Sequence, residues 1–213
     1  AKLIDEITYD EMLEMSSSGA GVLMARSVEF GRRYNVPIIV KPTFSEGSGT
    51  IVKDKVMEQA IVSGVTHNDK EIKFTLFGVP DQPGIAGKVF GPLSENGVIV
   101  DMIVQNVSKE SKTDISFTAP LEQKSEVENI LENLSTELEA EGADSDPNIA
   151  RVSLIGAGMK AESGIASKMF SILGENKINI AMISTSPIRI SCVVNKDDMQ
   201  KAIDSLHKEF IEA

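Results

Sequence analysis

The sequence predicts an α+β fold containing two ferredoxin-like ββαββα-type units, each an antiparallel sheet with helices on one face. The first observation is an internal repeat: residues 84–103 and 164–183 align without a gap and share 10 of 20 residues. The second is a change of apolar spacing within each copy. The helical spacing of Ile85, Val89 and Leu93 gives way to a short β-rich run.

Residues 1–52 differ from the repeats and are expected to be the remnant of a larger α/β domain. Thr8, with Glu11 three residues later, predicts a capped amphipathic helix. A second helix is predicted over 22–34 and a buried strand over 37–41. Because no partner strand is predicted in this segment, we expect the chain to be part of a longer polypeptide.

The elements of the two units follow in order. Strands are predicted over 61–66, 71–79, 98–107, 113–119, 150–155, 178–185 and 188–194, and helices over 84–96, 123–140, 164–176 and 197–210. The second unit has no last strand of its own, so strand 61–66 is expected to complete its sheet. The predicted division is 1–52 for the remnant, 53–70 for a linker with the added strand, 71–146 for unit one and 147–213 for unit two.

Composition excludes several function classes. A net charge of −11 argues against binding to nucleic-acid phosphates, and the absence of Trp removes the usual base-stacking surfaces. The sequence has no apolar run long enough for a membrane span and no signal peptide, so a cytoplasmic location is expected. The single cysteine, Cys192, lies in an apolar strand and is expected to be a buried packing thiol.

The sequence contains no recognisable catalytic motif. A glycine-rich phosphate loop with lysine, a Ser/His/Asp order and a Cys/His cluster are all missing, and no metal site is predicted. His67 and His207 lie in polar surroundings and are expected to be exposed. The Gly156-Ala-Gly158 pair is weak support for nucleotide binding.

The start of the first repeated helix predicts a binding site for a free α-amino acid. The amides of Gly84, Ile85 and Ala86 are expected to be free to bind a carboxylate, and Asp81 is placed to bind the ammonium group. Gln105 and Asn106, at the end of the next strand, could contact the ligand side chain. Asp81 could equally be a helix cap or part of an Asx-turn, and the two strand-end residues could simply be solvated.

Several motifs resemble those of the aspartokinase family. The paired Gly-Ile-Ala helix starts and the segments 101–108, 152–160 and 183–191 are similar to its tandem ACT domains. Residues 3–52 resemble the end of its amino-acid-kinase domain. The resemblance implies the regulatory part of an enzyme that phosphorylates L-aspartate with ATP and Mg²⁺, inhibited by threonine, lysine or both.

The resemblance also implies site residues, partners and limits. Effector contacts would fall on Asp81, Gly84, Ile85, Ala86, Gln105 and Asn106 in unit one, and on Ala166, Asn179, Ile180 and Ser186 in unit two. Gly21 and Val22 would lie near ATP, although the family's lysine is missing there. The family's N-terminal catalytic motifs are absent, so this chain alone is expected to bind no cofactor and to be inactive.

The predicted partners are threonine or lysine, a second copy of the chain bound through the ACT units, and an upstream catalytic domain. Nucleic acid and membranes are not expected partners. Two alternatives stay open from the sequence. One is an amino-acid-binding ACT module attached to another enzyme, and the other is a dimerisation module that binds no ligand.

Overall fold

A computed structural model describes residues 3–44, 47–56, 61–107, 111–160 and 162–212. The helices in these ranges are α1 (Tyr9–Ser17), α2 (Ala25–Arg33), α3 (Ile85–Glu95), α4 (Lys124–Glu137), α5 (Ile165–Glu175) and α6 (Met199–Phe210). The strands are β1 (Glu6–Thr8), β2 (Ile38–Val40), β3 (Thr50–Lys53), β4 (Gly64–Asn68), β5 (Glu71–Pro80), β6 (Ile103–Val107), β7 (Lys112–Pro120), β8 (Gly142–Asp146), β9 (Ile149–Ile155), β10 (Met182–Ser186) and β11 (Arg189–Asn195). None of the described helices combines the length and apolar character needed to span a bilayer.

The chain divides into two compact units. The discontinuous unit comprises Ala1–Asn68 and Arg151–Ala213, and the inserted unit comprises Asp69–Ala150. The inserted unit contains one sheet with strand order β6-β7-β5-β8. The discontinuous unit contains a sheet of order β10-β11-β9-β4 and a smaller sheet of order β1-β3-β2. We call residues 3–53, which include this smaller sheet, the N-terminal portion.

The two four-stranded sheets have the same order, but their fourth strands come from different places in the chain. In the inserted unit, β8 follows α4 and pairs with β5. The equivalent place beside β9 is taken by β4, which precedes the whole inserted unit. Because the inserted unit lies between β4 and β9 in sequence, the second sheet is completed by an earlier segment.

The core of the inserted unit lies between its sheet and helices α3 and α4. Alternate residues of β5 and β7 point to this side, and Phe74 and Phe117 stack with their ring centroids 5.4 Å apart. A bulge in β5 between Leu76 and Val79 restores the inward direction of Val79. The helices contribute mainly branched aliphatic residues at helical spacing, as the apolar pattern predicts.

The second four-stranded sheet has the same kind of core. Helices α5 and α6 cover one face of β9 and β11, through residues such as Met169, Leu173 and Leu206. Cys192 lies in this core and is fully buried, as expected. Burial also raises the pKa of its thiol to about 12, which keeps the thiol protonated at neutral pH.

The N-terminal portion confirms one prediction and corrects three. Thr8 caps α1, and the reciprocal bonds between Thr8 and Glu11 form the predicted capping box. The second helix begins later than predicted, at Ala25. The strand predicted to be buried is partly open, since Ile39 in β2 is 57% exposed. The prediction that this segment has no partner strands was wrong, because β1 and β3 form a sheet with β2. These two strands were missed because they have only three and four residues, too few to show an alternating pattern.

The strands that follow the repeated helices begin later than predicted. In the first unit, β6 starts at Ile103 rather than at residue 98. At its start, the amide of Met102 donates to the Thr118 side-chain oxygen (3.2 Å), so the ladder is irregular there. The predictions also missed β8, a Gly-Ala-Asp-Ser-Asp strand with no apolar alternation. Residues 108–110 of the predicted hairpin turn lie outside the described residues.

Candidate functional site

The two repeated helices begin with the same backbone conformation. Gly84 and Gly164 are the N-cap residues of α3 and α5, with φ values of 89° and 92°. Only glycine adopts this left-handed region without strain. No heavy atom lies within 4 Å of the position that a Cβ would occupy on either residue. Both helix starts are therefore open on that side, so a ligand or a partner chain can approach the backbone.

Asp81 lies at the start of α3 without capping it. The cap residue is Gly84, and no side chain caps the helix. The Asp81 amide donates to the Ser111 carbonyl (2.8 Å), which fixes the backbone at the end of β5. The Asp81 side chain is exposed, and the described residues provide no hydrogen bond or ion pair to its carboxylate. The carboxylate can therefore interact with a cationic group.

The amides at this helix start are only partly free. The Ile85 amide donates to the Gln82 carbonyl (3.2 Å), which corrects the expectation that all three amides are unpaired. Among the described residues, no backbone acceptor pairs with the amides of Gly84 and Ala86. Two donors and the positive end of the helix dipole still form an arrangement suited to a carboxylate.

The sheet register separates the two polar residues at the end of β6. Gln105 lies opposite Ile115, and Asn106 lies opposite Asp114. Directly opposed side chains share one face of a sheet, and Ile115 belongs to the core covered by α3 and α4. Gln105 is therefore on the helix side, at the same end of the sheet as Asp81, whereas Asn106 is on the opposite face. The Asn106 carbonyl accepts a hydrogen bond from the Thr113 hydroxyl.

The start of α5 borders a groove of about 390 Å³, which we call the α5 groove. Its lining residues are Met159, Lys160, Glu162, Gly164, Ile165, Ala166, Thr185, Ser186, Pro187 and Ile190. Two of the predicted contacts, Ala166 and Ser186, therefore line it. The other two do not, because Asn179 is exposed elsewhere and Ile180 packs against the core.

The charges around the two helix starts differ. The loop before α3 carries the carboxylate of Asp81, while the α5 groove has both Lys160 and Glu162 in its lining. A zwitterionic amino acid carries one charge of each sign, and the α5 groove offers a partner for each. The two sites are therefore chemically different although their backbones match.

Glu11 of α1 reaches the loop that leads to the α5 groove. One carboxylate oxygen accepts from the Ala157 amide (2.9 Å) and from the Ser63 hydroxyl (2.5 Å). The other accepts from the amide (3.2 Å) and hydroxyl (2.6 Å) of Thr8. Burial raises the pKa of the Glu11 carboxyl, but the hydrogen bonds from Ser63, Thr8 and Ala157 outweigh burial and hold the pKa below its ordinary value.

The sequence revealed only one of the roles of Glu11. The Thr8–Glu11 spacing predicts a capping box, but the contacts with Ser63 and Ala157 join positions 52 and 146 residues away. The same holds for Glu14, which forms an ion pair with Arg189 (3.0 Å). Side chains that meet through tertiary packing leave no local sequence pattern, so these contacts could not be predicted.

The remaining candidate residues lie outside the two helix starts. Gly21 and Val22 are exposed. The described residues contain no cluster of three or more His, Cys, Asp or Glu side chains that could hold a metal ion. His67 is exposed, and the Nδ1 atom of His207 lies 3.0 Å from the Glu212 carboxylate.

Comparison with known proteins identifies both repeat units. Models of the ACT domain match residues 73–139 and 152–210. An aspartate kinase of Pseudomonas fluorescens is 45% identical over 213 residues, covering 99% of this chain and 52% of that protein. The chain thus spans about half the length of the curated relatives it matches.

Solved structures give the same result. The regulatory subunit of aspartate kinase from Thermus thermophilus, in its ligand-free form, is 37% identical, with a TM-score of 0.67. That match covers 70% of this chain and 99% of the subunit. The aspartate kinase of Synechocystis is 34% identical, with a TM-score of 0.71, over 99% of this chain and 39% of that enzyme. Because a whole regulatory subunit is matched at this identity, the chain belongs to the aspartokinase family and contains its regulatory tandem-ACT part.

Proposed function

We propose that this chain is the feedback-control part of an aspartate kinase, and that it binds free threonine, lysine or both at its ACT units. Binding would control ATP- and Mg²⁺-dependent phosphorylation of L-aspartate by a catalytic domain upstream of residue 1. The open start of α3 carries this proposal, because Gly84 leaves backbone amides accessible next to the exposed Asp81. Family membership adds the enzyme to which such control would apply.

At the first site, the ligand carboxylate would bind the amides of Gly84 and Ala86, and Asp81 would bind the ammonium group. Gln105, on the helix side of β6, would contact the ligand side chain. Ile85 would lie beside the ligand at the helix start, but its amide would not bind the carboxylate because it already donates to Gln82. Asn106 would contribute only to a ligand or partner that reaches the opposite face of the sheet.

At the second site, Ala166 and Ser186 would contact a ligand in the α5 groove, with Lys160 and Glu162 matching its two charges. Asn179 and Ile180, which lie outside the lining, would act at an interface with a second ACT unit. The domain division 1–52, 53–70, 71–146 and 147–213 belongs to the same proposal. A cytoplasmic location would suit a biosynthetic enzyme of this family.

Two chains would associate through the ACT units. The strands β6 and β10 are at the edges of their sheets, where their backbone groups face no further strand of the described chain. Ile103 and Ile183, which occupy equivalent positions in the repeat, are 53% and 44% exposed. An open edge with an exposed branched residue is suited to pairing with another chain. This observation also supports the alternative function, a dimerisation module that binds no ligand.

Isothermal titration calorimetry of the purified chain with threonine and with lysine separates these functions. We expect binding in the millimolar to micromolar range, about −4 to −8 kcal/mol. The variant Asp81→Ala should lose about 1.5–3 kcal/mol of affinity, roughly ten- to a hundredfold, because the ammonium loses its charged partner. Asp144→Ala removes an exposed carboxylate from β8 in the same unit and is the matched control. An absence of binding in the wild type would favour the dimerisation module.

The catalytic part of the proposal has its own test. A coupled assay of ADP release with ATP and aspartate should detect no turnover by this chain alone, because phosphoryl transfer needs a phosphate cradle and bound Mg²⁺. Turnover by the purified chain would contradict this expectation. Addition of the upstream catalytic segment should then produce activity that threonine or lysine inhibits.

A further inference from the structure

Helix α1 contacts two residues that neighbour the lining of the α5 groove in sequence, through two acidic side chains on one of its faces. Glu11 binds the amide of Ala157, at the start of the turn Ala157–Lys160 whose last two residues line the groove. Glu14, one helical turn later, pairs with Arg189, which lies between the lining residues Pro187 and Ile190. The two acidic residues are three positions apart and therefore lie on the same face of α1.

The contact made by Glu11 is buried and charged. Glu11 is 3% exposed, and each of its carboxylate oxygens accepts two hydrogen bonds. A buried carboxylate with this set of donors has one preferred position, because movement of any donor would remove one of the four hydrogen bonds that stabilise the buried charge. A displacement of Ala157 would therefore displace Glu11 or break a charge-assisted hydrogen bond.

The strand leading to the groove is also part of the core of the N-terminal portion. In β9, Leu154 packs in the core of the second ACT unit, whereas the next residue, Ile155, packs with Ile7 and Met12. The loop after β9 passes close to the linker as well, since a Cβ on Gly156 would lie 2.2 Å from the Ile61 carbonyl oxygen. With β9 held in this way, the turn that follows it is fixed to α1 rather than freely hinged.

We propose that Glu11 and Glu14 are positioning residues that transmit occupancy of the α5 groove to helix α1 in the N-terminal portion. Where the occupant is threonine or lysine, the inference rests on the proposed function. A ligand that separates the turn at Ala157 from the strand start at Arg189 pulls on two adjacent points of α1. Because coupling free energy is reciprocal, a change in α1 alters the groove to the same extent.

The test is backbone amide NMR of the purified chain, with the amides of 9–17 reporting on α1 and those of 164–166 on the groove. Saturating lysine or threonine should shift both sets in the wild type. In Glu11→Gln the groove amides should still shift, while the α1 response should be largely lost, and Glu14→Gln should reduce it. Asp10→Asn is the matched control, because Asp10 is on the same helix but pairs with Arg32 (3.0 Å), away from the groove.

A second arm requires no ligand. Thr185 is exposed and lines the groove, so Thr185→Phe should partly fill it without disturbing the core. Thr185→Phe should shift the amide resonances of α1 when residue 11 is the wild-type glutamate. It should not shift them when combined with Glu11→Gln. If α1 responds to filling but neither amino acid binds, the coupling stands and the proposed ligand is wrong. The coupling is wrong if α1 does not respond to filling, or if Glu11→Gln leaves that response intact.

A readout specific to the carboxylate completes the test. The Ala157 amide proton should follow the ionisation of Glu11, so its chemical shift should titrate in the wild type and in Asp10→Asn. The titration should disappear in Glu11→Gln. A structural role that does not involve the charge would leave the Ala157 shift independent of pH, and that result would overturn the role assigned to Glu11.

Discussion

The two ACT units share the start of the repeated helix and differ in the loop that leads to it. In the inserted unit, residues 81–84 connect β5 to α3 and carry an exposed carboxylate. In the second unit, residues 156–164 connect β9 to α5 and contain a helical turn whose first amide is bound by Glu11. Both helix starts are open, but only the second loop is attached to the N-terminal portion.

Two of the shared residues set the backbone at the ends of the repeated helix. Glycine at the helix start allows the left-handed conformation, and asparagine at the helix end binds a carbonyl one turn earlier in both units. Core positions tolerate exchange between apolar residues, since Val89 corresponds to Met169 and Val98 to Ile178, all four buried. The comparison indicates that duplication preserved the geometry of a helix-start site, while the two loops acquired different contacts.

The largest expected effect comes from the glycine that lets the second loop pass the linker. In Gly156→Ala, the new Cβ would lie 2.2 Å from the Ile61 carbonyl oxygen and 2.7 Å from Val62 Cα. Backbone atoms cannot move aside as a flexible side chain can, so we expect a loss of about 2–3 kcal/mol in the free energy of unfolding. Chemical denaturation followed by circular dichroism measures it, since the chain has no tryptophan.

The control for this variant is Gly164→Ala, at the start of α5. A Cβ there would meet no atom within 4 Å, so the only cost is the positive φ, about 1–2 kcal/mol. Gly84→Ala should cost the same, because its φ differs by only a few degrees. Equal losses at residues 84, 156 and 164 would contradict the view that the second loop is held by close packing.

The attachment of the second loop through Glu11 should make the stability of the chain depend on pH. The pKa of Glu11 is below its ordinary value of 4.5 in the folded chain, so its contribution to stability is present above that value. The contribution is lost as the pH falls through the folded pKa. We expect Glu11→Gln to cost about 1.5–3 kcal/mol at neutral pH and much less in acid. The measurement is denaturation of the wild type and of Glu11→Gln from neutral to acid pH. Parallel curves of unfolding free energy against pH for the two proteins would contradict this expectation.

The next effect concerns ligand choice at the first site. Gln105→Ala should weaken amino-acid binding about two- to tenfold and reduce the discrimination between threonine and lysine. Asn106→Ala is the neighbouring control, because the register places Asn106 on the opposite face of the sheet. Calorimetric titration of both variants with both amino acids gives the comparison. A larger effect from Asn106 would mean that the ligand approaches from the open face.

The sequence predicted the duplicated fold because repetition and apolar spacing are local patterns that directly determine helices and covered strands. It missed β8, whose Gly-Ala-Asp-Ser-Asp residues are held by backbone pairing with β5 rather than by apolar side chains. It also missed the sheet of the N-terminal portion, whose strands have only three or four residues. Short strands are determined by their tertiary partners, which a single sequence does not reveal.

The candidate site was predictable to a similar degree. Glycine at a helix start, with an acidic residue three positions earlier, is a local pattern, and both residues lie at the start of α3 as expected. The separation of Gln105 from Asn106 depends on the register with β7, and the bonding of the Ile85 amide depends on a turn at Gln82. The contacts of Glu11 with Ser63 and Ala157 depend on packing between distant segments.

The smallest expected effect tests whether the asparagine at the end of the repeated helix stabilises both units equally. Asn96 and Asn176 each donate a side-chain hydrogen bond of 2.8 Å to the carbonyl four residues earlier, but only the bond of Asn176 is partly buried. Each carbonyl also accepts from the backbone amide of the same asparagine, so replacement by alanine removes only the side-chain bond. The loss should be about 0.5 kcal/mol at Asn96 and about 1 kcal/mol at Asn176, since a hydrogen bond shielded from water is stronger than an exposed one. Ser94→Ala, at an exposed position of α3, is the control and should not destabilise the chain, because alanine favours a helix. Thermal unfolding followed by circular dichroism compares the three variants, and a larger loss at Asn96 than at Asn176 would show that burial does not set the strength of this cap.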